Sequence, residues 1–247
     1  MRLRLTLSYD GGQFSGWQSQ PQGDTVQDAL ENAFGILCGS RVVVHGAGRT
    51  DAGVHALGQC AHADVPDGRL PVSAWLPALN AHLPPGVRIM AIRRAAPDFH
   101  ARFSSTGKVY RYTIWNGPVM PPLLMGRAWH VPWKILREDL ALACAALTGT
   151  HDFAAFSAKR LKESESTVRT VSAIGIQAAG PRIVLTFHGP GFLYKMVRIL
   201  TSAAVRCGCQ KLELDDLQSR LAQGSPRLNH VAPAGGLTLV RVRYTKT

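Results

Sequence analysis

Near the N-terminus of this chain the hydrophobic period changes, and that change limits the fold more than any other feature. Residues Arg2 to Tyr9 alternate, with Leu3, Leu5, Leu7 and Tyr9 on one face and Arg2, Arg4, Thr6 and Ser8 on the other. A period of two is that of a half-buried strand with one solvated side. From Thr25 the period lengthens, and Val26, Ala29, Leu30, Ala33, Phe34 and Leu37 make the stripe of an amphipathic helix. Thr25 with Asp28 three residues later resembles a capping box, and Gly39 stands where the helix should stop. A short β-branched strand over 41–45, a strand over 56–65, a helix over Val72–His82 and a strand over Val87–Arg94 complete the series. The order β-α-β-β-α-β fits a ferredoxin-like α+β unit with an antiparallel sheet. One layer of helices would leave the other sheet face free.

The rest of the chain repeats this grammar more loosely. Strands are expected at 108–115, 169–177, 182–188 and Leu237–Tyr244, and helices at 137–147, 192–205 and 214–221. The segment 116–122 is a loop. So is 157–166, which has no apolar period and is expected to be a mobile surface loop. The predicted architecture is α+β: two ferredoxin-like-type antiparallel-sheet domains packed side by side, with helices on one side and a basic central cleft. The boundary falls near Phe103, giving an N-terminal domain of residues 1–103 and a C-terminal domain of residues 104–247, with an active cleft between them.

Charge narrows the partner. Lys and Arg number 28 against 16 Asp and Glu, a net charge of +12. A field of that sign favours a polyanion, because each neutralised phosphate releases condensed counterions. A generic basic surface would carry the same charge. The basic residues are spread along the chain, which suits a groove assembled by folding better than a disordered basic tail. The five cysteines are irregularly spaced, and Cys207-Gly-Cys209 is too tight for the usual zinc pair, so reduced cytosolic thiols are expected. The alternating N-terminus does not read as a signal peptide, and no apolar run approaches the ~18 residues that span a bilayer. A cytoplasmic protein without a membrane partner is the expectation.

The loop Gly46-Ala-Gly-Arg-Thr-Asp51-Ala-Gly53 holds three glycines in eight residues. Glycines there permit positive φ and close backbone approach. A phosphate-binding Walker loop would need Gly-Lys-Ser/Thr at its end, and a dinucleotide fingerprint would need glycine where Asp51 stands; neither is present. What remains is a carboxylate between Arg49 and His55. A neighbouring cation favours its ionised form, a nucleophile or base at neutral pH. A turn aspartate capping its own backbone explains the same spacing. Residues alone leave these two readings level.

The stretch Gly-Arg-Thr-Asp-Ala-Gly-Val-His-Ala (48–56) resembles the signature of the tRNA pseudouridine synthase A family, in which that aspartate is catalytic. Other blocks run in family order over nearly the whole chain: Tyr9-Asp-Gly, Phe14-Ser-Gly-Trp-Gln18, Phe99-His-Ala-Arg-Phe103, Lys108-Val-Tyr-Arg-Tyr112, Gly149-Thr-His-Asp-Phe153, Phe192-Leu-Tyr-Lys-Met-Val-Arg198 and Ala232-Pro-Ala-Gly-Gly-Leu237. The resemblance implies that Tyr110 stacks on the target base and helps deprotonate C5, that Arg198 pairs with Asp51, and that Leu237 packs on the flipped base. It also implies that Arg49 enters the RNA groove. Lys108, Tyr110 and Tyr112 share a strand face, a platform for an RNA base. With His55, Arg49, Lys108 and Tyr110 make the expected substrate-binding set. Asp10 is expected to stabilise a turn, and His55, His100, His151 and Cys60 to be structural and not metal ligands. The sequence departs from the family pattern at Leu200-Thr-Ser-Ala and at Asn229-His230, away from the implied catalytic positions.

The implied reaction cleaves the N1–C1′ bond of uridine at positions 38, 39 and 40 of the tRNA anticodon stem-loop, rotates the base and rejoins it through C5. It calls for no cofactor, metal or energy source. Asp51 would attack C1′ or assist loss of uracil to a glycal, on a uridine flipped out of its stack. The resemblance also implies a homodimer. A glycoside hydrolase would use two carboxylates flanking the bond, and the loop supplies one. An aspartic protease would need a pair of Asp-Thr/Ser-Gly loops, and only Asp51-Ala-Gly is present. A non-catalytic RNA-binding module would need the charge and the aromatics but not Asp51.

Overall fold

The computed structural model of the chain describes residues 1–158 and 166–245. The surface loop expected over 157–166 lies, apart from its ends, outside the described residues. The elements in chain order are β1 (Arg2–Tyr9), α1 (Val26–Cys38), β2 (Val44–Gly46), β3 (His55–Asp64), α2 (Val72–His82), β4 (Val87–Arg94) and β5 (Ser105–Trp115). They continue with β6 (Trp129–His130), α3 (Arg137–Ala146), β7 (Gly149–Asp152), β8 (Val168–Val171), β9 (Ala173–Ala179) and β10 (Arg182–Gly189). The last are α4 (Met196–Gly208), α5 (Leu214–Gln223) and β11 (Leu237–Tyr244). The chain is thus mixed α and β with a mainly sheet core. No described helix is long and apolar enough to cross a membrane.

The chain divides into two compact units, residues 1–106 with 238–247, and residues 107–237. This differs from a single boundary near Phe103, because the last strand belongs with the N-terminal unit.

In the first unit β1 lies between β4 and β3, antiparallel to both. The outer edge of β3 is shared: β2 pairs antiparallel with Ala61–Ala63, and β11 runs parallel beside His55 and Ala56. That close approach requires Gly58, where a Cβ would lie 2.5 Å from the Val240 carbonyl oxygen. Leu3, Leu5 and Leu7 are fully buried, as the alternation predicts. So are Phe34 of α1 and Trp75 of α2, whose rings sit 5.8 Å apart. Thr25 caps α1 by accepting from the Asp28 amide, and Gly39 ends it in the left-handed region. The expected strand over 41–45 is shorter and later, because it pairs only where it faces β3.

The opposite sheet face is not left free. Arg2 donates to the Phe99 carbonyl, His62 Nδ1 accepts from the Ala101 amide at 3.2 Å, and Tyr244 donates to the Ala101 carbonyl at 2.6 Å. Phe99 and Tyr244 then cover Ala47, Cys60 and Ala101, with the Arg4 guanidinium 3.9 Å from the Tyr244 ring centre.

In the second unit β10 pairs antiparallel with β5 on one edge and β9 on the other, while β7 and β8 form a separate two-stranded sheet. The single strand expected over 169–177 is therefore broken. At Ser172, whose amide donates to the His188 carbonyl, the chain leaves β7 and joins β10. The helix expected over 192–205 starts later, at Met196, because Lys195 sits at φ 57° and interrupts the helical path. From there α4 is buried on nearly all sides and packs on α3.

Candidate active site

The segment that follows β1 holds the main chain of the loop between β2 and β3 at two points. The Thr50 carbonyl accepts from the Trp17 amide at 3.0 Å, and the Gly53 amide donates to the Gly11 carbonyl at 3.2 Å. Two of those neighbours must be glycine. A Cβ on Gly11 would lie 2.0 Å from the Val54 carbonyl oxygen, and one on Gly16, at φ 96°, would lie 2.8 Å from the Thr50 carbonyl oxygen. The Val54 amide donates back to the Asp51 carbonyl at 3.1 Å, closing a turn whose third residue, Gly53, has φ 80°. Asp51 therefore does begin a turn. That turn uses its carbonyl oxygen, and its side chain is half-buried.

Beneath the loop lies a buried polar cluster. Gln59 Nε2 donates to the Gly48 carbonyl at 2.8 Å and to Tyr9 Oη at 3.4 Å, and Tyr9 Oη lies 2.9 Å from Thr50 Oγ1. Burial pushes the Tyr9 phenol up to about 12, so it is neutral throughout the physiological range. His55 is buried, with Nδ1 3.0 Å from Asp10 Oδ1 and 3.1 Å from the Gly11 amide. With a proton on Nδ1 it donates to Asp10; without one it accepts from Gly11. In both states that nitrogen faces the N-terminal turn, which Asp10 also braces by accepting from the Gly12 amide. Arg49 is exposed, and its Nε donates to Gln18 Oε1 at 3.0 Å.

In the second unit Tyr110 lies on β5 opposite Phe187, and the Phe192 ring meets it edge-on at 5.4 Å. Lys108 is half-buried two residues before it. Tyr112 does not belong to an open platform: it is fully buried and donates its hydroxyl to the Pro233 carbonyl at 2.7 Å. Burial drives its phenol far above the ordinary tyrosine range, and the Arg198 charge opposes that shift. Arg198 lies on α4, where its Nε donates to the Ala232 carbonyl at 2.8 Å while the Ala232 amide donates to the Arg198 carbonyl. It thus grips the strand-entry turn that delivers buried Leu237. The glycine pair in that turn is steric. A Cβ on Gly236 would meet the Tyr112 ring at 2.6 Å, and one on Gly235 the Gly126 carbonyl oxygen at 2.3 Å.

The structure therefore groups Asp51, Arg49 and His55 around one loop, and Arg198, Tyr112 and Leu237 around one turn. Sequence reasoning missed Gly11, Gly16, Tyr9 and Gln59 as supports of the Asp51 loop. The glycines of the first turn were a usable signal; Gln59, in a strand buried on both faces, gave none. Among the described residues no group of three or more His, Cys, Asp or Glu side chains could hold a metal ion.

A profile of the family described as tRNA pseudouridine synthase matches residues 6–104 and 143–245. The chain is similar to proteins named tRNA pseudouridine synthase A from several bacteria. It is 46% identical to the one from Akkermansia muciniphila, over 98% of this chain and 95% of that one. With the one from Solidesulfovibrio magneticus the identity is 48%, over 98% and 91%. With the one from Oceanobacillus iheyensis it is 38%, over 98% and 96%.

Proposed function

The chain belongs to the tRNA pseudouridine synthase family, and from that premise we propose the residues and the target of its reaction. It is an isomerase that converts uridine in tRNA to pseudouridine. Its targets are uridines 38, 39 and 40 of the anticodon stem-loop, and Asp51 is the nucleophile. The observation that carries the assignment of Asp51 is the main-chain seating of its loop: the Thr50, Asp51 and Gly53 backbone is pinned by bonds to Trp17, Val54 and Gly11, and a half-buried carboxylate stands on that fixed backbone.

A carboxylate on a rigid loop is suited to covalent catalysis, because its position is set before the substrate arrives. Asp51 adds to C1′ of the flipped nucleotide, or draws off the sugar proton as uracil departs to leave a glycal. In both routes the uracil turns and C5 bonds to C1′, displacing the Asp51 carboxylate in the first and with the abstracted proton returned to the sugar in the second; the base then loses its C5 proton and carries one on N1. From the second unit Tyr110 stacks on the base and helps remove the C5 proton, Leu237 packs on it, and Arg198 balances the charge of the aspartate. Exposed Arg49 enters the RNA groove and Lys108 meets the backbone phosphates, while His55, with Nδ1 turned to Asp10 and Gly11, supports the substrate side of the loop. The protein works as a cytoplasmic homodimer built from ferredoxin-like units, a reading supported by the β4-β1-β3-β2 antiparallel order of the first unit.

The test is pseudouridine formation on unmodified tRNA transcripts labelled in uridine, with Asp51→Ala beside the parent protein. We expect product in the anticodon stem-loop and a loss of at least about 10⁴-fold in turnover for Asp51→Ala. Full activity in that variant would overturn the nucleophile. Tight tRNA binding without product from the parent protein would favour a binding module.

A further inference from the structure

We propose that Tyr9, Thr50 and Gln59 are positioning residues, a buried hydrogen-bonded relay that sets the attack geometry of Asp51 without touching the RNA. The inference rests on the nucleophile assigned above. Its foundation is the placement of Tyr9 and Gln59 on the face of the sheet that otherwise carries Leu3, Leu5 and Leu7, with Thr50 of the loop against Tyr9. Gln59 is fully buried, and Tyr9 and Thr50 are 5% and 7% exposed. Polar groups at such depth lose their hydration, and an apolar side chain of the same shape would fold as well. A function other than folding therefore explains their presence better.

The direction of the glutamine's hydrogen bonds follows from its amide. Gln59 Oε1 accepts from the Cys60 amide, so Nε2 is the end turned to the loop. Its two hydrogens go to the Gly48 carbonyl and to Tyr9 Oη. The Tyr9 hydroxyl meets Thr50 Oγ1 at 2.9 Å. The relay thus ties down the loop at Gly48 and at Thr50, and Thr50 is the residue that precedes the nucleophile. Its main chain is fixed independently, by the Trp17 amide on the Thr50 carbonyl. The Tyr9 hydroxyl adds a side-chain tie at Thr50 to the main-chain bonds already made at Thr50, Asp51 and Gly53. Small errors of placement at a reacting atom are expensive in rate, on the order of 100-fold for about 1 Å.

The experiment measures single-turnover pseudouridine formation, tRNA affinity and thermal stability for Tyr9→Phe, Thr50→Val, Thr50→Ser and the Phe/Val double variant of the full chain. Removing both hydroxyls leaves no orphan between the two of them, although one Gln59 Nε2 hydrogen loses its Tyr9 acceptor, so the double variant should melt no lower than Tyr9→Phe alone. We expect Tyr9→Phe and Thr50→Val each to slow turnover on the order of 10- to 100-fold with tRNA affinity unchanged within about twofold. Thr50→Ser, which keeps the hydroxyl, should recover most of the rate. The double variant should be about as slow as the worse single one, the non-additivity of residues acting through one contact. Parental turnover in a well-folded double variant, while Asp51→Asn is inactive, would overturn the relay and leave the nucleophile standing. Turnover retained in Asp51→Asn would overturn the nucleophile instead. A rate loss that merely follows lost melting temperature or lost affinity, unrelieved by serine, would reduce the three residues to core polar groups and overturn the proposal.

Discussion

The two faces of the first unit's sheet each hold down one irregular segment with buried polar side chains, but they use different chemistry. On the face shared with Leu5 and Leu7, the Asp51 loop rests on a glutamine, a tyrosine and a threonine. On the other, residues 97–101 are fastened by Arg2, His62 and Tyr244. None of the loop's three supports changes charge near neutrality. Tyr9 has its phenol pushed up to about 12, so the stability it contributes is complete below the unfolded value near 10 and is lost only as pH climbs through 12. The second face has a histidine at its centre and fails at the opposite end of the scale. The difference shows where each segment can tolerate motion. The supports beneath Thr50 keep their charge state across neutral pH, whereas the segment 97–101 depends on a histidine acceptor.

The largest effect should come from breaking the loop side sterically. Alanine at Gly11 would press a methyl against the Val54 carbonyl oxygen, which is main chain and cannot swing aside. We expect Gly11→Ala to cost about 3 kcal/mol and to lower the melting temperature by roughly 6–10 °C, with turnover falling as well. Gly12→Ala is the matched control, since its new methyl would meet only the flexible Asp10 carboxylate at 3.3 Å. Equal melting of the two variants would show that the N-terminal turn yields easily and that the loop is not rigidly seated.

That pair also marks how much of the molecule could be read in advance. The alternation of β1, the stripe and caps of α1, and the extents of α2, β4 and β11 were all legible, since each obeys a local period with recognisable ends. Asp51 was legible as a candidate because glycines crowd around it. The kink at Lys195 was not, because lysine carries no signal for a positive φ, and α4 was accordingly expected too early. Nor was the partner exchange at Ser172 visible, since a strand reads the same whichever neighbour it joins. Tyr9 looked like one more apolar residue of its strand. Its hydroxyl gains meaning only from Thr50, 41 residues away.

A middle-sized effect should appear in acid and only on the second face. Burial, with His100 and His45 adding like charge and Arg2 assisting, holds His62 down to about 4; Asp64 opposes them. The folded state then binds fewer protons than the unfolded chain, whose histidine titrates near 6.5. Stability is therefore full above about 6.5 and falls as pH drops toward 4, and His100, lowered by the same surroundings, adds to the slope. We expect a loss of about 2 kcal/mol over that window, read as a declining melting temperature. His62→Asn, which keeps an acceptor for the Ala101 amide, should flatten the decline. A melting temperature level from pH 7 to 4.5 in the parent protein would remove the contrast between the faces.

The smallest effect tests the rim of that same face. Arg2 forks onto Asp64, with Nε 2.8 Å from Oδ1 and Nη2 2.7 Å from Oδ2. The geometry is good, and it lowers the Asp64 carboxyl below the usual range, chiefly through the hydrogen bond from Arg2. A lowered carboxyl stabilises the fold above its unfolded value, and the benefit is lost as pH falls through the folded one, below the window of His62. The Asp64 side chain, however, is 61% exposed. Water and salt therefore screen the pair, and Asp64→Asn should cost only about 0.5–1 kcal/mol. Arg2 would still donate to the Phe99 carbonyl, so the segment would stay fastened. The melting difference between Asp64→Asn and the parent should shrink in 1 M salt, where the screening length is about 3 Å. A difference that persists there, or one above about 2 kcal/mol, would mean that the carboxylate acts as a buried support of the kind Gln59 provides beneath the Asp51 loop.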